Sequence, residues 1–230
     1  MSTPLPWSHS SLIGFATCGR QYEEIKVLRN FQDQKNPQSA WGDYFHKQAE
    51  KFIGHWSTAG AVLELPEDMH PFEDYLLQFC GRPGKTLVEC EYAIDRQLQP
   101  CDFLGKTVWG RGIIDVLTLD GTLALVDDHK TGKQKKDMQQ LIIFALLVFY
   151  HHPEIQTVKA TFYWLKFGDL IDTETFYRHQ IADLWAELIP KLTKYRDAFH
   201  LGVFEANPTG LCIKHCAVDT CEYFGRGKRR

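Results

Sequence analysis

A chain of 230 residues that is 44% hydrophobic is long enough to bury one sizeable core. Its formal charge of −3, from 26 Lys and Arg against 29 Asp and Glu, excludes a protein that coats nucleic acid through a global positive field. The longest apolar run, Leu141 to Tyr150, is too short to span a bilayer, and MSTPLPWSHSS lacks the pattern of a signal peptide, so no membrane partner and a cytoplasmic, reducing home are expected.

Ser8 to Ser11 offers helix caps before Leu12, which predicts a short helix reaching Cys18. Gln32 to Gln38 is polar with a proline and reads as a loop. Ser39 to about Trp56 predicts a helix, since Trp41, Phe45, Ala49, Phe52 and Ile53 recur at helical spacing. A short helix follows over Pro71 to Phe79. Three strands are then expected at Thr86–Leu98, Val108–Leu119 and Thr122–Asp128, a helix from about Asp137 to Tyr150, and two strands at Val158–Phe167 and Leu170–Arg178. Gln180 to Leu201 predicts a long helix with a kink at Pro190 and a stop at Gly202. This order implies an α/β fold, a mixed central sheet flanked by helices.

Asp120-Gly121 between two β-rich runs is a strong hairpin signal. Taken as the two turn residues, it pairs Leu119 with Thr122 and places Asp115 opposite Val126 and Asp128 opposite Ile113. Asp115, Asp128 and Lys130 then share one face, Asp127 points to the other, and the two acids are diagonal neighbours roughly 7–8 Å apart. Two converging carboxylates repel unless a cation lies between them, and oxygen ligands suit Mg²⁺ or Mn²⁺. Lys130 on the same face would act on an attacking water or on a developing anion. The bland alternative is two solvated acids at a hairpin end.

Gly112-x-x-Asp115, Asp128-x-Lys130-Thr131-Gly132 and Gln140-x-x-x-Phe144 together resemble the PD-(D/E)XK nuclease superfamily, and within it the RecB-type domains of phage and CRISPR-associated exonucleases. Phe144 stands where that family commonly has a tyrosine. The upstream helix motif of the family resembles Gly42-x-x-x-His46-x-x-x-Glu50, a single stripe of a helix. The resemblance implies a restriction-endonuclease-like fold and a metal held by His46, Asp115, Asp128 and the backbone carbonyl of His129. It implies catalytic roles for Lys130, with Gln140 and Glu50 in support. The substrate implied is DNA with free ends or single-stranded regions, cut by an exonuclease in a bacterial cell or phage-infected host, with recombination or CRISPR proteins as partners. A structure-specific endonuclease and a non-catalytic nucleic-acid-binding module are the alternatives.

Seven cysteines in a reducing compartment point to metal chemistry where spacing supports it. Cys212, Cys216 and Cys221 fall within ten residues of loop-like sequence, and Cys18 stands near the other terminus. The same resemblance implies a [4Fe-4S] cluster on these four thiolates, with residues 1–35 and 203–230 as an appendage to a single nuclease domain spanning 1–230. Gly19 stands where the family usually has proline, and the C-terminal spacing is one residue looser than its common gap. His215 with three cysteines leaves Zn²⁺ open as a rival, and reduced free thiols remain a third reading. Cys80, Cys90 and Cys101 have no motif spacing. For the DNA backbone, Lys133, Lys135 and Lys136 follow the Asp-x-Lys pair, with Arg20 and Arg111 as further candidates.

Overall fold

The computed structural model describes residues 4–33, 37–134, 138–168 and 171–226. The chain forms two compact units, residues 36–185 and residues 1–35 with 186–230. The division between residues 185 and 186 falls inside a single helix.

The smaller unit begins with α1 (His9–Thr17), capped by Ser8, whose Oγ accepts from Ser11 N–H while Ser11 Oγ accepts from Ser8 N–H. After Cys18 come α2 (Gly19–Tyr22) and a π-helical turn, Glu23–Val27, neither of which the hydrophobic pattern foretold. Tyr22 and Tyr195 share a buried 2.8 Å hydroxyl–hydroxyl bond, and Phe15 meets Tyr22, Tyr195 and Phe204 edge-on.

The larger unit carries α3 (Pro37–Ala59), which starts two residues before the predicted onset and buries Phe45, Ala49, Phe52 and Ile53 along one stripe. A 3₁₀ turn over Glu67–Phe72 leads into α4 (Glu73–Leu77). Five strands follow, β1 (Lys85–Ile94), β2 (Gly110–Asp120), β3 (Leu123–Lys130), and, after α5 (Gln139–His151), β4 (Thr157–Trp164) and β5 (Ile171–Tyr177). They form one sheet in the order β1-β2-β3-β4-β5, with β3 and β4 parallel and the other neighbours antiparallel. This is the expected mixed sheet flanked by helices. α5 is buried from Leu141 through Phe149, as a crossover helix connecting parallel strands requires. α6 (Ile181–Leu201) runs on into the smaller unit with Pro190 inside it, Gly202 follows at φ +65°, and α7 (Leu211–Lys214) is one short turn.

The hairpin between β2 and β3 differs from the expected register. Asp120 pairs with Leu123 and Leu117 with Val126, so the turn residues are Gly121 and Thr122. A turn with Asp120 and Gly121 at its centre needs positive φ at both, but only Gly121 has it, at +57°. Glycine at the first central position is the II′ geometry, which has the same two-residue length one step along the chain. The shift of two residues brings Asp115 level with Asp128 instead of diagonal to it.

A second departure breaks the alternation of the sheet. Val88 and Val116 pack on the α3 side, Val88 Cγ2 lying 3.2 Å from where a Cβ on Gly54 would stand. Four residues further on, Tyr92 stacks on His151 of α5 at 4.2 Å, and its partner Gly112 abuts Leu147 and Phe144 of the same helix. Unbroken alternation would keep positions 88 and 92 on the same face. The face changes at Glu89, which has φ +46°, and the ladder skips both Glu89 and Asp115. Their carboxylates therefore point to the side that already holds Val88 and Val116. A non-glycine residue in this region costs roughly 1–3 kcal/mol. Glu89→Gly removes that cost and is expected to raise the unfolding free energy by about 1 kcal/mol after glycine's greater unfolded-state entropy is deducted, read as a higher urea midpoint with m unchanged.

Candidate active site

The convergence starts from α3. Phe45 anchors its buried stripe, so the next residue, His46, projects from the helix edge towards the break in β1 and β2. Its Nδ1 lies 3.2 Å from Asp115 Oδ2. Among the described residues, His46, Glu89 and Asp115 are the one group whose ligand atoms all lie within 4.8 Å of one another. Asp115 Oδ2 also accepts the His129 N–H at 2.7 Å, so a side chain takes up the amide just where β2 and β3 part.

Asp128 belongs to a second triangle on the α5 side. Gln140 Nε2 donates to Asp128 Oδ1 at 2.9 Å, Lys130 Nζ donates to Gln140 Oε1 at 2.8 Å, and Lys130 Nζ lies 2.5 Å from Asp128 Oδ2. That last contact pairs the buried Asp128 Oδ2 with the Lys130 ammonium, so Gln140 and Lys130 between them take up both oxygens of the carboxylate.

The electrostatics follow from crowding. Burial works against protonation of His46, but the Asp115 bond and the charges of Asp115, Asp128 and Glu89 outweigh it and lift His46 to about 9. Burial and the Asp115 charge raise Glu89 to about 7, against the pull of His46. Asp128 is raised to about 6 by burial, with Lys130 opposing and Asp115 adding to the rise. Asp115 is held below the usual carboxylate range because the His46 contact and the His129 amide overcome its burial.

The other face of β3 is structural. Asp127 is buried against Arg82, whose Nη1 donates at 2.5 Å, and Arg82 also lies over the Phe79 ring at 4.5 Å. His129 is buried among Phe45, Tyr75 and Phe79, with Nδ1 2.5 Å from the Tyr75 hydroxyl, and burial drives it down to about 4. Two consecutive acids therefore do different work: Asp127 locks the strand and Asp128 faces the chemistry.

The residues fit a hard divalent ion. The donor set is one imidazole and two carboxylates, with the charge of a third, Asp128, acting on His46 and Glu89, which suits Mg²⁺ or Mn²⁺. Without a metal, the positive charge the acids require is the His46 proton, which a bound ion would displace.

Of the residues singled out by sequence, His46, Asp115, Asp128, Lys130 and Gln140 come together here. Glu50 is exposed one turn further along α3, contributing charge towards Glu89. Gly42 faces Thr131, whose Oγ1 would be 3.0 Å from a Cβ there, so its small size admits the end of β3. Phe144 is buried against Gly112. Lys133 is exposed, and Lys135 and Lys136 lie outside the described residues. Arg111 donates to the Phe103 carbonyl at 3.0 Å, and Arg20, in the smaller unit, is paired with Glu23 and Glu24. Glu89 escaped the sequence reading because Val-Glu-Cys-Glu reads as ordinary alternation, and only the positive φ turns it inward.

In the smaller unit, Cys18, Cys212, Cys216 and Cys221 all line one cleft and all are free thiols. Cys18 and Cys212 sulfurs accept from the N–H groups of Asn207 and Thr209 at 3.4 and 3.5 Å. His215 is exposed and is not part of that lining. No three of these sulfurs lie within 4.8 Å of one another, whereas a zinc tetrahedron with about 2.3 Å bonds needs them about 3.8 Å apart.

Comparison with known proteins agrees with this geometry. A family model described as the PD-(D/E)XK nuclease superfamily matches residues 6–222. Among solved structures, a protein from Eubacterium rectale provisionally named an exonuclease is 10% identical, with a TM-score of 0.50, over 87% of this chain and 84% of that one, and shares the fold. The structure of SSO0001 is 13% identical over 83% of this chain and 78% of that one, with a TM-score of 0.38, too low a likeness to weigh. No curated protein matches. A mixed five-stranded sheet carrying the Asp115, Asp128 and Lys130 constellation, matched by the family over nearly all its length, means that this chain belongs to the PD-(D/E)XK nuclease superfamily.

Proposed function

We propose that this chain is a Mg²⁺- or Mn²⁺-dependent DNA exonuclease. The observation that carries the reading is the meeting of His46, Glu89 and Asp115, with Asp128 close enough for its charge to act on His46 and Glu89 and with Lys130 held on that same Asp128 carboxylate. The exonuclease character rests on the resemblance, and the similar Eubacterium rectale protein carries that name.

His46, Asp115 and Asp128 would hold the ion, with Glu89 and the His129 carbonyl completing the set. The bound ion supplies Lewis acidity at the scissile phosphodiester. Gln140 keeps Lys130 and Asp128 in fixed relation through its two bonds, so the ammonium is aimed without freedom to swing. Lys130 orients the attacking water and offsets the negative charge that builds on the phosphorus oxygens as the P–O bond to the leaving alcohol breaks. Asp127 and His129, buried beneath, keep β3 from yielding as charge moves.

In the smaller unit, the four cysteines are proposed to hold a [4Fe-4S] cluster. Anaerobically purified protein is expected to be brown and to contain iron and sulfide, with both lost in Cys216→Ala; a colourless preparation containing stoichiometric zinc overturns this assignment.

The activity reading is tested with end-labelled linear and circular DNA in Mg²⁺, Mn²⁺ or EDTA. Linear DNA is expected to be degraded only with metal, circular DNA spared, and Lys130→Ala slowed roughly 10²–10⁴-fold. Equal cutting of circles would make it an endonuclease, and binding without cutting would make it an inert module. Metal affinity is also expected to depend on pH. Glu89 and Asp128, raised to about 7 and about 6, and His46, lifted to about 9, must all release protons, so Mn²⁺ binds more tightly as pH rises from 5 to 9. Calorimetry in two buffers of different ionisation enthalpy reads the released protons directly, and a flat profile would contradict this.

A further inference from the structure

The six tryptophans are not equivalent once their surroundings are known. Trp7 and Trp164 are buried, and Trp164 Nε1 donates to Asp172 at 2.7 Å. Trp109 and Trp185 stack on each other with centroids 5.6 Å apart. Trp56 is half-buried, with Cζ2 3.7 Å from where a Cβ on Gly81 would stand. Trp41 alone among them is an exposed large hydrophobic residue, at 37%.

Its position ties it to the active site. Trp41 lies on α3 immediately before Gly42, where Thr131 at the end of β3 comes against the helix, and five residues before His46. At a rise of 1.5 Å and a turn of about 100° per residue, Trp41 stands about 7.5 Å back from His46 along the axis and about 140° round from it, so a strand reaching both must cross the N-terminal turns of α3. The indole is braced from beneath. Tyr44 lies 5.6 Å from it and is itself fixed by a 2.8 Å bond from its hydroxyl to Asp68, and Phe72 lies 6.3 Å away, packed in turn on Phe45 at 5.1 Å. Lys47 on the same helix and Lys133 after β3 are both exposed cations of this unit. A braced, solvent-facing aromatic next to a phosphate-directed site offers a π face that a stacked duplex base cannot reach but an unstacked base can.

We infer that Trp41 is a stacking platform for a base of single-stranded DNA, holding the strand that enters the His46–Asp115 site. This deepens the nuclease reading and rests on it for the strand's destination, though the stacking itself is measurable without cleavage.

The test is fluorescence anisotropy in EDTA, using labelled oligo(dT) of about twelve nucleotides and an abasic oligomer of equal length. Trp41→Ala is expected to weaken oligo(dT) binding about tenfold or more, Trp41→Phe to retain most of the affinity, and the abasic oligomer to bind wild type and Trp41→Ala alike. Unchanged oligo(dT) affinity in Trp41→Ala, or equal weakening for both oligomers, overturns the assignment. If wild type cuts DNA while Trp41→Ala binds oligo(dT) normally, the platform fails and the nuclease stands. If wild type cuts nothing yet Trp41→Ala loses oligo(dT) selectively, the nuclease reading fails and the platform stands.

Discussion

The site depends on a single backbone irregularity. At Glu89 the first strand adopts a conformation that L-residues avoid, the ladder to β2 opens across Asp115, and two carboxylates turn to the face where α3 presents His46. A regular sheet would carry Glu89 away from Val88, towards α5. The strain is local, and what holds it is the packing on either side: Val88 and Val116 against α3, Tyr92 and Gly112 against α5. Backbone strain and crowded charge occur at the same residues, the arrangement expected where binding a cation is the purpose of the geometry.

Around that break the polar groups fall into two sets with different tasks. Asp115, Glu89 and His46 crowd two acids around one imidazole, so their charge balance depends on the His46 proton or on a cation. Lys130, Gln140 and Asp128 form a closed triangle that fixes an ammonium in place. Beneath both, Arg82 neutralises Asp127 and aromatic rings enclose the His129 side chain, so the strand bearing Asp128 and Lys130 is anchored from its other face. Truncating one partner of the Arg82–Asp127 pair would leave a buried charge unpaired and loosen the strand from below.

The fold was legible because its signals are periodic. α3, α5 and α6 appear where apolar residues recur at helical spacing, and all five strands appear within a few residues of their predicted bounds. The turns were less legible. The Asp120-Gly121 pair announced a hairpin but not which two residues stand at its centre, because I′ and II′ turns share a length and differ only in which φ is positive. α2 and the π-turn after it lack an amphipathic repeat and are held by contacts within their own unit, such as Tyr22 on Tyr195.

By itself, the order of residues determined the family resemblance, the mixed sheet and the identity of the acids, lysine, glutamine and histidine that meet, because those depend on residue type and on spacing within single elements. Tertiary structure decided that Glu89 joins them, that the His129 ring is buried away from them, that Arg111 holds a loop, and that Trp41 faces solvent. Each of these turns on a dihedral or on a neighbour distant in sequence, and no local pattern of side chains encodes which way a strained strand or a half-buried ring will face.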